Sequence, residues 1–383
     1  MVLFIIVLWR VLLFGVAAWT QRYFLFTPRF PYSDIYLIPS KLPQWVWGWA
    51  NFDGVHYLAI ARSGYFAQYT QAFFPLYPLL IRILGIILQD NSFIFSGLLI
   101  SLLCLYFGLI SFKELLKFDY SSSVVKSSLG FLLIFPTSFY FGALYTESIF
   151  FLFTMLAFLM ARRKQWWISA VFGMLASATR ITGIFLLPPL LMEWLVISKI
   201  PQMKTFRQKL IKIFTILLTS PYLYIVPIGL LSYMTYLYLF YGDAFYFWHA
   251  QSAFGAARTS SIILLPQVTW RYLKILTTSH VSIDAYFAAW LEFVSFWFGA
   301  AMLLIGHKYR IRISYLVFGW LVLIVPTLTG TFSSLPRYII LIFPMYIVLG
   351  LIKNIYIRCT LIFCLSSILI LLCSWFIRGM WVG

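Results

Sequence analysis

The sequence predicts an all-α, polytopic integral membrane protein, and composition and the length of its apolar runs lead to that fold class. Of its 383 residues, 63% are hydrophobic and only 10% are charged, with a mean hydropathy of +0.93. Soluble globular proteins carry about 25% charged residues. The apolar residues form repeated runs of roughly 20, long enough for an α-helix to cross a bilayer. In lipid, runs this long satisfy their backbone hydrogen bonds only as helices.

The net charge of +18 is a second guide to the class of protein. Such a charge would also fit a nucleic-acid-binding protein. The lysines and arginines, however, lie mainly in short clusters between apolar runs, which is the pattern of cytoplasmic loops. We therefore interpret the basic excess as a topological signal and as contact with anionic membrane lipid, and we expect no nucleic-acid partner.

The N-terminal part begins with an apolar run at about residues 2–20, which predicts an uncleaved first helix because no basic segment precedes it. A loop of about residues 21–73 follows, and its four prolines prevent a continuous helix. Within this loop, residues 51–63 show helical spacing of apolar positions and predict a short interfacial helix.

The rest of the chain predicts further helices from its apolar runs. They lie at about 74–88, 92–112, 129–141, 148–161, 166–179, 184–198, 213–241, 285–305, 313–330, 338–352 and 357–376. A second outer loop is expected at about 242–284. We expect roughly 10 to 12 transmembrane helices in a single membrane domain that covers residues 1–383.

Charge clusters between the helices predict the topology. Basic clusters at 162–164, 199–212, 307–312 and 353–358 are expected in the cytoplasm. The loops at 141–148, 242–284 and 331–337 then face the opposite, extracytoplasmic side. If loop 21–73 is also outside, two full crossings between 74 and 112 would place Lys113, Lys117 and Lys126 outside, against the charge rule. Either the helix at 74–88 is partly re-entrant, or these three lysines break the rule.

Ionisable groups beside apolar runs are costly, which makes them candidates for a functional site. Asp53 is the candidate general base for a hydroxyl group, and its alternative role is to cap the interfacial helix. Glu147 lies at the top of an apolar hairpin, and its alternative role is to support the start of the next helix.

Two arginines are candidates for holding an anionic group. Arg180 interrupts a pair of apolar helices, where it either positions a phosphate or extends toward the membrane surface. Arg337 follows Pro336 at a helix start, where a cation is unfavourable and an anionic ligand would relieve the repulsion. Carboxylates and arginines together suit an enzyme that handles a phosphorylated lipid and a sugar hydroxyl.

Five polar or aromatic residues complete the candidate set. They are His56, Tyr77, His249, Gln251 and Tyr338. For His249 and Gln251, hydrogen bonding to a sugar or phosphate competes with simple anchoring at the membrane interface. For His56, a satisfied interfacial histidine is the favoured interpretation over a catalytic one.

The sequence predicts no metal site, no cofactor and no nucleotide-binding loop. It contains no HExxH, DxD or paired-histidine motif, and its four histidines are dispersed. The four cysteines lie inside apolar runs at spacings that match no zinc motif. There is also no glycine-rich phosphate-binding loop.

Five segments resemble the GPI mannosyltransferase 2 (PIG-V) family of GT-C-type membrane glycosyltransferases. NFDGVHYLAIARSGY, followed by QAFFPLYPLLIR, is similar to the family's first loop and second helix. FPTSFYFGALYTESIFFL resembles its Tyr-Ser/Thr-Glu hairpin, and SATRITGIFLLP its arginine-containing helix junction. GDAFYFWHAQSAFG and LPRYIILIFPMY resemble two later segments. The five occur in family order over about residues 49–346.

The resemblance implies a GT-C fold and transfer of mannose from a polyprenyl-phosphate donor to a hydroxyl of a lipid, glycan or protein. It implies that transfer occurs with inversion at the extracytoplasmic face without a metal, with Asp53 as the catalytic base. The chain departs from the family pattern at Phe52, Ala244 and Phe254, where Trp, Pro and Trp are usual. It resembles a prokaryotic homologue, which would have no GPI precursor to modify, so the acceptor stays open.

Two alternatives belong to other functional classes. A transporter or flippase of polyprenyl-linked lipids would share an aromatic, arginine-bearing cavity, but such proteins often carry internal repeats with matching broken helices, and the sequence shows none. The unequal loops, with two long outer segments, favour the enzyme. A structural subunit that stabilises another enzyme would not need Asp53.

Overall fold

The computed structural model describes residues 2–197, 208, 220–254, 258–259, 261–278 and 282–383, and within these ranges it is helical without a strand. We number the α-helices of seven or more residues in chain order. They are α1 Val2–Tyr23, α2 Asp53–Ser63, α3 Leu76–Leu88, α4 Ile94–Leu116, α5 Ser122–Ile134, α6 Glu147–Arg162, α7 Trp166–Thr179, α8 Leu187–Ile197, α9 Ile228–Tyr241, α10 Leu265–Thr278, α11 Ile283–Lys308, α12 Ile313–Ile324, α13 Pro344–Gly350 and α14 Ile355–Ile377.

Several of these helices are suited to cross a membrane. In the described part of the chain, five helical segments are long and apolar enough to do so: α1, α4, Pro221–Tyr241, α11 and α14. Five shorter apolar helices accompany them: Leu76–Leu88, Ser122–Ile134, Trp166–Thr179, Ile181–Ile197 and Ile313–Thr329. The prediction of an all-α, polytopic membrane protein is confirmed. The number of crossings, expected to be 10 to 12, stays a prediction.

Proline and an amphipathic pattern explain where the helix boundaries differ from the expected ones. The expected helix at 129–141 ends early, because Phe135 precedes Pro136 and adopts the extended conformation that this position favours. The expected helix at 338–352 is broken into short pieces, the last of which starts at Pro344. The outer loop at 242–284 contains an amphipathic helix, α10, that the sequence analysis did not predict.

Helix α3 pairs with only the first turns of α4. Its Tyr77 hydroxyl bonds to Ser101 Oγ at 2.7 Å and donates to the Gly97 carbonyl at 3.1 Å. Near its other end, Gly85 lies against the ring of Phe93, just before α4 begins. The 13 residues of α3 span about 20 Å, well short of the roughly 30 Å hydrocarbon layer. This geometry favours the re-entrant alternative for α3.

Parallel packing of α4 and α6 gives the molecule two distinct ends. Gly97 of α4 packs against Leu144, which lies just before α6, and Gly108 packs farther along against Phe151. Both helices therefore run away from the segment around Asp53, because Gly54 also packs against Leu144.

The far ends of these helices meet a cluster of basic residues. Asp119, just after α4, accepts two hydrogen bonds from Arg162 at the end of α6, at 2.5 and 2.8 Å. Arg358 donates to Ser127 Oγ at 2.7 Å. We call the region formed by residues 113–128, 162–164, 308–312 and 353–358 the basic end. Lys113, Lys117 and Lys126 belong to it, so a re-entrant α3 removes the topological conflict.

One expected cytoplasmic marker cannot be placed by these contacts. The basic loop with Lys199, Lys204, Arg207, Lys209 and Lys212 lies outside the described residues.

Candidate active site

Asp53 is the first residue of α2, and the chain before it is held by hydrogen bonds to α14 and to Tyr145, just before α6. Asn51 Nδ2 donates to the Phe376 carbonyl of α14 at 2.7 Å, and the Asn51 carbonyl accepts from the Tyr145 hydroxyl at 2.8 Å. The same hydroxyl accepts from the Asp53 amide at 3.3 Å. Between them, Phe52 has φ 57° and ψ −116°, a costly conformation for a bulky residue. Packing thus fixes the direction in which Asp53 leaves the backbone.

Four charged side chains from separate segments form one network. The Asp53 carboxylate bonds to Arg337 Nη1, and Arg337 Nε lies 3.3 Å from Glu147 Oε1. Arg180 Nη1 donates to the same Glu147 oxygen at 2.8 Å. The exposed fraction of the side chain is 1% for Glu147, 7% for Arg337, 10% for Arg180 and 19% for Asp53. We call these four residues the Asp53 network.

Asp53 and Glu147 lie in the first turns of α2 and α6 but do not cap these helices through side-chain hydrogen bonds. The N-cap residues of α2 and α6 are Phe52 and Thr146, and neither helix has a side-chain cap. Asp53 and Glu147 instead direct their carboxylates at arginines. Arg337 was expected to need an anionic ligand at its helix start, and in the structure two carboxylates of the protein itself supply that negative charge.

A cavity of about 1120 Å³ opens beside this network. It is walled by polar side chains from the network and by aromatic residues of the loop before α3 and of the segments around α10 and α14. Of the candidate residues from the sequence, those that line it are Asp53, His56, Arg180, Gln251, Arg337 and Tyr338. Glu147 does not reach the cavity surface but holds two of the lining arginines. The structure therefore brings seven of the nine candidates to one place.

The remaining two candidates lie elsewhere. Tyr77 is fully buried in the contact between α3 and α4, where its hydroxyl already bonds to Ser101 and the Gly97 carbonyl. His249 is exposed, and its Nδ1 lies 2.7 Å from a carboxylate oxygen of Asp243. Neither side chain lines the cavity.

Arg258 is a cavity residue that the sequence analysis left out of the candidate set. Its Nη1 donates to Gln251 Oε1 at 2.6 Å, and its Nη2 donates to Ser334 Oγ at 3.0 Å. Among the described residues, no carboxylate lies within ion-pair distance of it. Arg258 therefore brings to the cavity a positive charge that forms no ion pair with a described carboxylate.

Electrostatics set the charge states of Asp53 and His56. Burial alone would raise the pKa of Asp53, but the charge and hydrogen bond of Arg337 hold that pKa below its usual range. Burial lowers the pKa of His56, which the nearby Asp53 charge only partly offsets. The His56 ring stacks on Phe73 with centroids 4.9 Å apart. At neutral pH, Asp53 is thus ionised and His56 is neutral.

Tyr338 forms the aromatic part of the network. The guanidinium carbons of Arg180 and Arg337 lie 4.8 Å and 5.3 Å from the centroid of its ring. Such cation–π contacts hold the arginines in place without neutralising their charge.

The sequence analysis also missed a buried carboxylate on another wall. Glu292 of α11 lines the cavity and accepts a hydrogen bond from the Tyr272 hydroxyl at 2.5 Å. A lone acidic residue inside an apolar helix is a signal for function, and this signal was available at Glu292. In the described part of the chain, no three acidic, histidine or cysteine side chains come together as metal ligands would.

Comparison with known proteins places the chain in a family. The model of the family described as Mannosyltransferase (PIG-V) matches residues 1–244, a segment that includes Asp53, Glu147 and Arg180. No curated protein matches the chain. A match over more than half of the chain, together with the membrane helices, identifies a membrane glycosyltransferase. The chain therefore belongs to the PIG-V mannosyltransferase family.

Proposed function

We propose that the chain transfers mannose from a polyprenyl-phosphate donor to a hydroxyl acceptor, with inversion at the anomeric carbon. One observation carries the proposal: a single cavity holds an ionised carboxylate, Asp53, and an arginine without a carboxylate partner, Arg258. A carboxylate suits the removal of a proton from the attacking hydroxyl. An arginine suits the phosphate that leaves.

The donor phosphate fits best beside Arg258. The charges of Arg180 and Arg337 are already compensated by Glu147 and Asp53, so a phosphate gains more from the guanidinium of Arg258. During transfer, negative charge grows on the phosphate oxygen as its bond to the sugar breaks. A guanidinium placed there before reaction stabilises that charge and takes over the role that a metal ion has in other transferases.

An apolar groove next to the cavity supports a lipid-linked donor. The groove has a volume of about 500 Å³ and lies between α3, α7 and α9. Phe73 and Phe74 line the cavity, and the next residues of the chain, Pro75 and Leu76, line the groove. A polyprenyl chain in this groove would leave its phosphate at the cavity.

The reaction is a single displacement. The acceptor oxygen attacks C1 of mannose on the face opposite the phosphate, and the C1–O bond to phosphate breaks with its electron pair going to the polyprenyl phosphate. Asp53 takes the acceptor proton. Arg337 makes Asp53 a weak base in the resting enzyme, but the acceptor hydroxyl becomes more acidic as its bond to C1 forms. One displacement, without a covalent enzyme–sugar intermediate, inverts the anomeric configuration.

The extracytoplasmic face is the side that fits the charges. The Asp53 network lies away from the basic end, and basic loops favour the cytoplasm. A cavity at the outer side, among membrane helices and without a nucleotide-binding loop, matches the GT-C type of glycosyltransferase that the sequence resembles.

A direct test is a transfer assay with the full chain in membranes. Polyprenyl-phosphate-[³H]mannose and GDP-[³H]mannose are supplied separately, with methyl α-mannoside as the hydroxyl acceptor. We expect labelled disaccharide only from the polyprenyl-phosphate donor. Transfer from the nucleotide donor alone would contradict the proposal. Movement of intact polyprenyl-phosphate-mannose across liposomes without any disaccharide would support the flippase alternative instead.

A further inference from the structure

Glu292 belongs to a second polar cluster, separate from the Asp53 network. Besides its bond to Glu292, the Tyr272 hydroxyl lies 2.9 Å from Thr331 Oγ1 and accepts from the Phe332 amide at 3.1 Å. The Trp381 indole also interacts with the Glu292 carboxylate. Since Glu292 is only 7% exposed, these contacts hold one carboxylate in a fixed direction.

The cluster lies at an end of the cavity with room for a ligand. On α11, Ala285, Ala288 and Ala289 line the cavity one to two turns before Glu292, and Asp284, which is paired with Arg29, lines it just before them. Small side chains leave space above the carboxylate. Two tryptophans, Trp375 and Trp381, line the cavity as well.

Arg258 is electrostatically linked to both polar clusters of the cavity. Its charge interacts with the carboxylates of both Asp53 and Glu292. The cavity of about 1120 Å³ also exceeds the roughly 300–1,000 Å³ typical of a site for one small ligand. A transferase must hold two substrates at once, with the leaving phosphate near the arginine.

We propose that the Glu292 end is a subsite for an uncharged, hydroxyl-rich acceptor group such as a sugar ring. This inference rests on the proposed transferase function. A buried carboxyl group forms strong hydrogen bonds with hydroxyl groups, and in its ionised form it also repels phosphate. Aromatic walls pack against the apolar face of a sugar ring. Tyr272, Glu292 and Trp381 lie beyond the matched residues 1–244, so the family match does not describe this subsite.

The test measures binding, so it needs no turnover. The full chain is placed in nanodiscs with saturating polyprenyl phosphate to occupy the donor position, and methyl α-mannoside is titrated by saturation-transfer NMR. We expect Glu292→Gln to weaken methyl α-mannoside binding by about tenfold or more, the order expected when a charged hydrogen bond is lost. Binding of polyprenyl phosphate itself should stay within about twofold of wild type.

The matched control is Glu114→Gln, an exposed carboxylate paired with Lys117 at the basic end. It should bind both ligands as wild type does. Trp381→Leu is a second variant that removes an aromatic wall, and it should weaken methyl α-mannoside binding in the same direction. It keeps the test decisive if Glu292→Gln does not fold.

Two results would overturn the subsite. Either folded Glu292→Gln and Trp381→Leu bind methyl α-mannoside as wild type does, or Glu292→Gln loses polyprenyl phosphate to the same extent. Failure of the proposed function looks different, because the wild-type chain would then bind methyl α-mannoside through Glu292 yet transfer no mannose to it from polyprenyl-phosphate-mannose.

Discussion

Arg337 sets the charge state of Asp53, although the two residues are 284 positions apart in the chain. The arginine also approaches Glu147, so one side chain links the start of α2, the start of α6 and the short helix Leu335–Tyr338. A buried carboxylate without such a partner would hold its proton more tightly. The proposed base is therefore ready at neutral pH because of Arg337.

This dependence predicts a change in the pH profile of sugar transfer. A carboxyl whose folded-state pKa is depressed stays ionised above that value and loses its function as the pH falls through it. In Arg337→Gln, burial is opposed only by the weaker effects of His56 and Arg258, so the pKa of Asp53 should rise and the acid limb of the kcat profile should move toward neutral pH. The profile is measured with polyprenyl-phosphate-mannose as donor. The control Arg163→Gln removes an exposed charge from the basic end and should leave the acid limb at its wild-type position. An acid limb that does not move in Arg337→Gln would argue against Asp53 as the titrating base.

Residue type and local context were enough to select Asp53, Glu147, Arg180 and Arg337 from the sequence. They were not enough to pair them, because the partners come from segments that meet only in the folded protein. Tyr77 shows the limit clearly, since a tyrosine in a polar motif has the same pattern whether its hydroxyl faces a cavity or a neighbouring helix. Glu292 was missed because its importance lies in what surrounds it.

At the scale of the elements, Glu147 holds the end of α7 against the helix Leu335–Tyr338. It contacts Arg180, which directly follows α7, and Arg337 with one carboxylate oxygen. The hairpin before α6 places this carboxylate, and the Ser148 hydroxyl donates to the Phe141 carbonyl at 2.5 Å across the same hairpin.

Removal of this carboxylate charge should lower the free energy of unfolding substantially. Glu147→Gln leaves two buried arginines with one carboxylate, and loss of a buried ion-pair partner costs about 3–5 kcal/mol. We expect a loss of that order in the free energy of unfolding, measured by denaturant titration in mixed micelles. Glu114→Gln breaks an exposed pair and should cost about 0–1 kcal/mol. Equal stability of the two variants would show that Glu147 does not hold these elements together.

Most helices lie close to the apolar runs that predicted them, although α5 starts seven residues before its expected position, and helix ends depended on features that the runs do not contain. The Phe135–Pro136 step ends α5, and this could have been predicted from the sequence. Helix α10 was missed because it is amphipathic and lies between polar stretches, so it lacks the continuous apolar run that marked the other helices.

At the scale of the whole molecule, the Asp53 network and the basic end lie at opposite ends of α6. A re-entrant path of α3 would let α4 carry the chain from one end to the other in a single crossing. The sequence could state the conflict over Lys113, Lys117 and Lys126 but could not resolve it, because apolar composition does not reveal whether a 13-residue helix crosses or returns.

Cysteine labelling tests this arrangement. In a background without the four native cysteines, Ser122→Cys at the basic end should resist a membrane-impermeant maleimide added from outside intact cells. Phe66→Cys, in an exposed part of the loop after α2, should be labelled. Labelling of Ser122→Cys from outside would mean that α3 crosses fully and that the three lysines violate the charge rule.

The central claim is that Asp53 is the base in mannose transfer from a lipid phosphate, and the rate of Asp53→Asn tests it most directly. Transfer from polyprenyl-phosphate-[³H]mannose to methyl α-mannoside is measured in membranes with matched amounts of inserted protein. Asp243→Asn, an exposed carboxylate outside the cavity, is the control. Loss of a general base lowers the rate by about 10²–10⁴-fold, so Asp53→Asn should fall by that factor while Asp243→Asn stays near wild type. Transfer by correctly inserted Asp53→Asn at the wild-type rate would contradict the account.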